Sequence, residues 1–197
     1  MATPQTIQRV RTTPVQVGST PLRRRPPQLR RLRLRRASRE HMTIAADIIR
    51  STSQWYQPFL ADEDMAEHDV DAGWEERNFG RRDFFIGYAK DEPVGVLATQ
   101  PAGRSLYLGY VYVYEHQVSR GYGRELLEFA RDRATAFRND SMVLIAHPEA
   151  QWATRAYQRF GFEQVASERS DVLAWNDGWL APYYEQGFAL YEYDLRA

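Results

Sequence analysis

The chain has 197 residues, 26 basic and 26 acidic side chains and no cysteine, a length that suits one domain with a sizeable core rather than two. The absence of cysteine excludes a disulfide framework, a thiolate nucleophile and a cysteine zinc site. With no apolar run near the ~20 residues that span a bilayer and no apolar N-terminal block, the expectation is a soluble, cytoplasmic protein that does not enter a membrane.

The zero net charge conceals an asymmetry. Ten arginines and no acid fall within residues 1–38, which leaves 16 basic residues against 26 acidic ones in the remainder. The body is therefore acidic. One reading is a solvated surface; the other is an acidic mouth that draws in cationic amines.

Residues 1–28 carry five prolines and few large apolar side chains, and are expected to be a disordered tail, because such a segment buries too little to offset its ordering entropy. Its arginines are either solvated or available to nucleic acid. The folded domain is expected over 29–197. Leu32 and Leu34 alternate with arginines as in a half-buried strand. A helix capped by Ser38 follows, with Met42, Ala45, Ile48 and Ile49 on its buried stripe. An aromatic connection leads into Asp62 to Phe79, read as a single acid-rich helix.

Strands are expected over 83–89 and 93–99, joined by Lys90-Asp91-Glu92, and a third over 105–115, together an antiparallel meander. Alternation puts Tyr110, Tyr112 and Tyr114 on one face and Val111 and Val113 on the other. A helix from Gly123 to about Arg138 follows, with Leu126, Leu127, Ala130, Ala134 and Phe137 on one stripe. Ser141 to Ala146 is apolar enough for a strand buried on both faces, which makes a parallel crossover unit. The next helix, 150–160, carries Trp152, Ala153, Ala156, Tyr157 and Phe160 at helical spacing and stops at Gly161. Strands over 162–167 and 189–195 flank a long aromatic connection, 168–187, expected to be a lid or binding loop.

Arg120-Gly121-Tyr122-Gly123 lies where a strand turns into a helix, and this is a seat for phosphate. The first-turn N–H groups point outward with the positive end of the helix dipole behind them. Nucleotide folds with Gly-x-Gly-x-x-Gly are excluded by Leu126. The histidines are scattered with no metal-ligand spacing, so no metal is expected.

With the order of elements added, the chain resembles the GNAT superfamily of acyl-CoA-dependent N-acyltransferases over residues 30–196. Gly121 and Gly123 match the glycines of the family's Gln/Arg-x-x-Gly-x-Gly/Ala motif, with Val118 in place of Gln or Arg. Ala153-x-x-x-Tyr157-x-x-x-Gly161-Phe162 resembles its fourth-helix signature, with Ala150 where Asn is common. The resemblance implies an α/β domain whose mixed, mostly antiparallel sheet has a splayed pair of strands and about four flanking helices. It implies acetyl-CoA as the acyl donor, with its pyrophosphate on the amides of Val118, Ser119, Arg120, Gly121, Tyr122, Gly123 and Arg124. The pantetheine arm would pair near Val111 and Val113, an N–H near Val113 would polarise the thioester, and Tyr157 would protonate the leaving thiolate.

Three residues are placed to act as base through water: His147, Glu149 and Glu115. The expected reaction is acetylation of a primary amine, either a small molecule or a peptide amino group. Acids in 62–76 and Asp171, Asp177 and Glu185 favour a cationic acceptor. The other function considered is a catalytically silent CoA-binding module with a nucleic-acid-binding tail. A monomer or homodimer is expected.

Overall fold

The computed structural model describes residues 32–71 and 73–196, so the tail expected over 1–28 lies outside the described residues. In chain order it contains β1 (Arg33–Arg36), α1 (Met42–Arg50), α2 (Asp62–Asp69), α3 (Trp74–Asn78), β2 (Asp83–Ala89), β3 (Glu92–Ala102) and β4 (Ser105–Val113). It continues with α4 (Tyr122–Ala136), β5 (Ser141–Ala146), α5 (Gln151–Phe160), β6 (Glu163–Ala166), α6 (Arg169–Ala174) and β7 (Ala189–Asp194). The strands form one sheet in the order β1-β2-β3-β4-β5-β7-β6. Every neighbouring pair is antiparallel except β4 and β5.

Two layers cover the sheet. On one face α4 buries Leu126, Leu127, Ala130 and Ala134 against Leu97, Leu106, Met142 and Leu144. On the other, α1 and α3 pack Met42, Ile48, Ile49 and Trp74 on Phe84, Ile86, Val96 and Tyr110. Each large aliphatic side chain so buried contributes about 2 kcal/mol, which is why periodicity found these helices. No described helix is long and apolar enough to cross a membrane.

Three expectations are corrected. The acidic segment forms two helices, because Val70 takes a left-handed conformation (φ 55°) and ends α2. Phe137 is 61% exposed and lies beyond α4, with the Arg133 guanidinium 4.8 Å from its ring. The connection 168–187 is also partly helical and packs Val172 and Leu180 under the sheet with Tyr107, Val143 and Leu190. The described residues hold six α-helices.

Two irregularities in β4 shape the functional region. Its parallel pairing with β5 is confined to Ser105–Tyr107 against Ser141–Val143, after which the two strands diverge. β5 goes on pairing only with β7, and β4 only with β3. Against β3 the register slips by one residue, Ala98 pairing with Tyr110 but Thr99 with Leu108. Gly109 is thus the extra residue of a β-bulge. The slip turns Leu108 into the α4 layer and Tyr110 into the α1 layer, although strict alternation would put both on one face.

Candidate active site

The turn expected to seat phosphate follows β4. Ser119 (φ 63°) and Gly121 (φ 86°) both adopt left-handed backbone, a sequence of turns that aims successive N–H groups into a concavity. Intrahelical bonding in α4 begins with Glu125 N–H donating to the Gly121 carbonyl, 3.3 Å, so Gly123 and Arg124 fall in the first turn, where N–H groups have no carbonyl one turn earlier. A groove of about 480 Å³ opens there, lined by Val118, Ser119, Gly121, Tyr122, Gly123 and Arg124, with Trp152 and Arg159 on its other wall. Val118 and Trp152 are 39% and 41% exposed, and apolar side chains left open along one groove mark a binding surface.

The groove narrows into the β4/β5 splay. Val111, Val113, Gly123, Trp152 and Tyr157 line this throat. Tyr114 N–H donates to the Val94 carbonyl on β3, 3.0 Å. Since backbone groups of successive residues in an antiparallel strand point to opposite sides, the amides of Val113 and Val111 face the opening. Beyond the throat is a third cleft, sharing Val111, Tyr112 and Tyr157 with it. The three spaces thus form one passage through the splay, with Tyr157 at the junction of its inner two parts.

Tyr157 is half-buried, and although part of it borders the passage, the protein crowded around its hydroxyl disfavours the phenolate. Burial, with smaller contributions from Tyr56, Tyr107 and Tyr191, holds its pKa far above the ordinary tyrosine value. The hydroxyl therefore stays protonated at neutral pH.

The inner cleft contains a buried polar relay. His68 Nε2 lies 3.0 Å from Glu185 Oε2 and its Nδ1 lies 3.0 Å from the Tyr112 hydroxyl. Both partners of the His68–Glu185 contact are enclosed, with side chains 6% and 15% exposed. A neutral imidazole protonated on Nε2 satisfies both contacts by donating to Glu185 and accepting from Tyr112. Tyr56 stacks on His68 at 4.0 Å between ring centroids, and burial pushes its pKa up to about 12. Tyr112 is likewise driven well up, chiefly by burial.

The chain matches the family model described as the acetyltransferase (GNAT) family over residues 48–162, more than half its length. It belongs to the GNAT family. No curated protein matches it by sequence, but solved structures share the fold. PaiA N-acetyltransferase from Thermoplasma acidophilum, in complex with coenzyme A, is 13% identical, with TM-score 0.65 over 83% of this chain and 98% of that one. A Bacillus subtilis acetyltransferase in complex with CoA is 17% identical, with TM-score 0.58 over 83% and 99%. Ribosomal-protein-alanine N-acetyltransferase from Brucella melitensis is 16% identical, with TM-score 0.58 over 83% and 100%.

Within this GNAT domain, the expected site residues fall into groups. Val111, Val113 and Tyr157 meet at the throat, and Val118, Ser119, Gly121, Tyr122, Gly123 and Arg124 line the outer groove. Arg120 is exposed and stands off the groove lining. Of the base candidates, His147 lines the inner cleft, stacked on Phe59 at 4.6 Å. Burial lowers its pKa, partly offset by Glu149. Glu149 is exposed and lines neither the inner cleft nor the throat. Glu115 accepts hydrogen bonds from Gln54 and Trp55, both at 3.2 Å, outside the inner cleft. Asp171 and Asp177 are exposed, whereas Asp64 and Glu185 line the cleft.

Sequence reasoning missed Tyr56, His68 and Tyr112 as site residues, and Arg159 at the groove. The relay joins positions 112 and 185 through His68, and no local spacing reports such a contact. The one signal was a histidine, His68, inside an otherwise acidic and weakly periodic helix.

The same buried phenols have a consequence for stability. Tyr56, Tyr107, Tyr112 and Tyr157 all have folded pKa values raised, mainly by burial. A raised folded value means that the folded state retains protons which the unfolded chain releases above pH ~10. Stability is therefore full below that pH and falls above it, by up to about 1.4 kcal/mol per pH unit for each such tyrosine. Urea unfolding between pH 8 and 11 should show this alkaline loss; stability that stays flat to pH 11 would contradict it.

Proposed function

We propose that this protein transfers an acetyl group from acetyl-CoA to a primary amine by direct attack of the amine on the thioester. The observation that carries this reading is the single passage through the splay, with a phosphate seat at one end and a proton relay at the other. Val118, Ser119, Gly121, Tyr122, Gly123 and Arg124 would hold the pyrophosphate, and Arg124 and Arg159 would add positive charge at the mouth. Val111 and Val113 would pair with the pantetheine arm. The groove fits such a group, since even a Cβ built on Gly123 meets only Val113 Cγ2, at 3.9 Å.

The thioester supplies an activated acyl carbon. The Val113 N–H polarises its carbonyl, an electrostatic role worth about 3 kcal/mol in comparable sites. As the N–C bond forms and the C–S bond breaks, one proton leaves the nitrogen and one arrives at the sulfur. Tyr112 and His68 take the first, with Glu185 holding the imidazole, and Tyr157 delivers the second. We assign the base to this relay rather than to His147, because only His68 is backed by an enclosed carboxylate. The relay also argues against a catalytically silent CoA-binding module, which would have no use for it.

Calorimetry with CoA, together with thiol release from acetyl-CoA across an amine panel, tests the reading. Micromolar CoA binding and amine-dependent thiol release are expected, with His68→Gln costing about 100-fold in kcat and His147→Gln markedly less. Failure to bind CoA at millimolar concentration would sink the proposal. A larger loss in the His147 variant would transfer the base to that residue.

A further inference from the structure

The inner cleft is not uniformly acidic. Asp64, His68 and Glu185 line it, and so do Arg81 and Arg82. Arg82 is the informative residue. Its guanidinium carbon sits 5.0 Å from the ring centroid of Tyr110 and 4.8 Å from that of Tyr183, held between two aromatic rings. Its Nη1 donates to Asn78 Oδ1. Its Nε is buried with no hydrogen-bond partner, and Arg82 makes no ion pair among the described residues.

The backbone is shaped around this side chain. Gly109, the bulge residue of β4, lies directly beneath it: a Cβ there would stand 2.8 Å from Arg82 Nε and 3.0 Å from its Cδ. A strand glycine at such a close approach makes room for a neighbour, and a bulge re-aims side chains beside a site. A half-buried guanidinium with no ion-pair partner, lining the cleft, is poised for an anion there, and a carboxylate is the partner its fork matches best.

Arg82 lies over Tyr110 and His68 bonds the hydroxyl of Tyr112, two residues along the same strand, so a cation and the proton relay share one cleft. We propose that the acceptor is an amine that carries its own carboxylate, a free amino acid, with the carboxylate on Arg82 and the amine facing the Tyr112–His68–Glu185 relay. Peptide N-termini, whose adjacent carbonyl is an amide, and simple cationic amines are then disfavoured. This inference rests on acetyl transfer through the splay.

The test compares kcat/KM for the common L-amino acids, their amides and their decarboxylated amines, with thiol release as the readout. At least one free amino acid should exceed its amide and its amine by about 100-fold, the effect of leaving a buried charged donor unmet. Arg82→Lys and Arg82→Gln should collapse that ratio towards one. So should Gly109→Val, which displaces Arg82 without removing its charge; thermal melts check that each variant is folded. Amides or amines used as well as free amino acids, or a ratio indifferent to Arg82, would overturn the inference. So would a protein that binds CoA yet acetylates no amino acid. Loss of CoA binding itself would instead overturn the acetyltransferase reading beneath it.

Discussion

Replacing Tyr157 with Phe is expected to lower kcat by about 10² to 10³ while CoA affinity is retained. The substitution removes one oxygen and keeps the ring, which packs edge-on against Phe162 at 5.9 Å between centroids, so α5 should hold its place. A donor used only when sulfur departs lowers kcat and kcat/KM together. The raised phenol pKa, caused first by burial, sets the pH behaviour. The proton stays on the oxygen below the folded pKa, so the wild type should show no basic limb from Tyr157 below pH ~10. A wild-type rate in the Phe variant would reduce Tyr157 to a packing residue.

Gly123→Leu is expected to weaken CoA binding more than 100-fold and at the same time to raise the melting temperature. Gly123 has ordinary helical backbone in the first turn of α4, since it is not among the glycines with positive φ. Any non-glycine residue there gains up to about 1 kcal/mol in helix propensity. The built Cβ meets only Val113 Cγ2, at 3.9 Å, so nothing in the protein resists the first added carbon. The rest of the side chain, however, extends into the groove and throat that Gly123 lines, where the proposed pantetheine path runs. The opposite signs separate this mechanism from unfolding. Isothermal titration with CoA and a thermal melt on the same sample decide it: unchanged CoA affinity would place the cofactor elsewhere. The contrast with Gly121, whose φ of 86° disfavours any side chain, shows why two glycines in one motif have different duties.

Much of the fold was legible because burial on a regular element writes a period into the chain. The stripe Leu126, Leu127, Ala130 and Ala134 is fully buried. The strand 83–89 and the strand 141–146 run as expected. Tyr110 and Tyr112 pack opposite Val111 and Val113. Errors arose where the period is not a report of packing. The helix over residues 151–160 has apolar side chains at helical spacing, yet Trp152 and Ala156 are exposed and line the groove. The pattern there follows from a binding surface as well as from a core. The acidic stretch reads as one helix because a left-handed Val70 has no signature; valine is a residue that sterics discourage from that region.

By itself, the sequence determined the run of strands and helices from β2 to α5, the glycine turn between β4 and α4, and Tyr157 on α5, since each is encoded within a few neighbouring residues. Only the tertiary structure decided where β4 parts from β5, that Gly109 is a bulge, and that His68, Tyr112 and Glu185 converge while Arg82 lies between two rings without an ion-pair partner. Those features depend on strand register and on contacts spanning up to 117 residues. No local rule of backbone or periodicity carries such information, because register is settled by the sum of packing across the whole sheet.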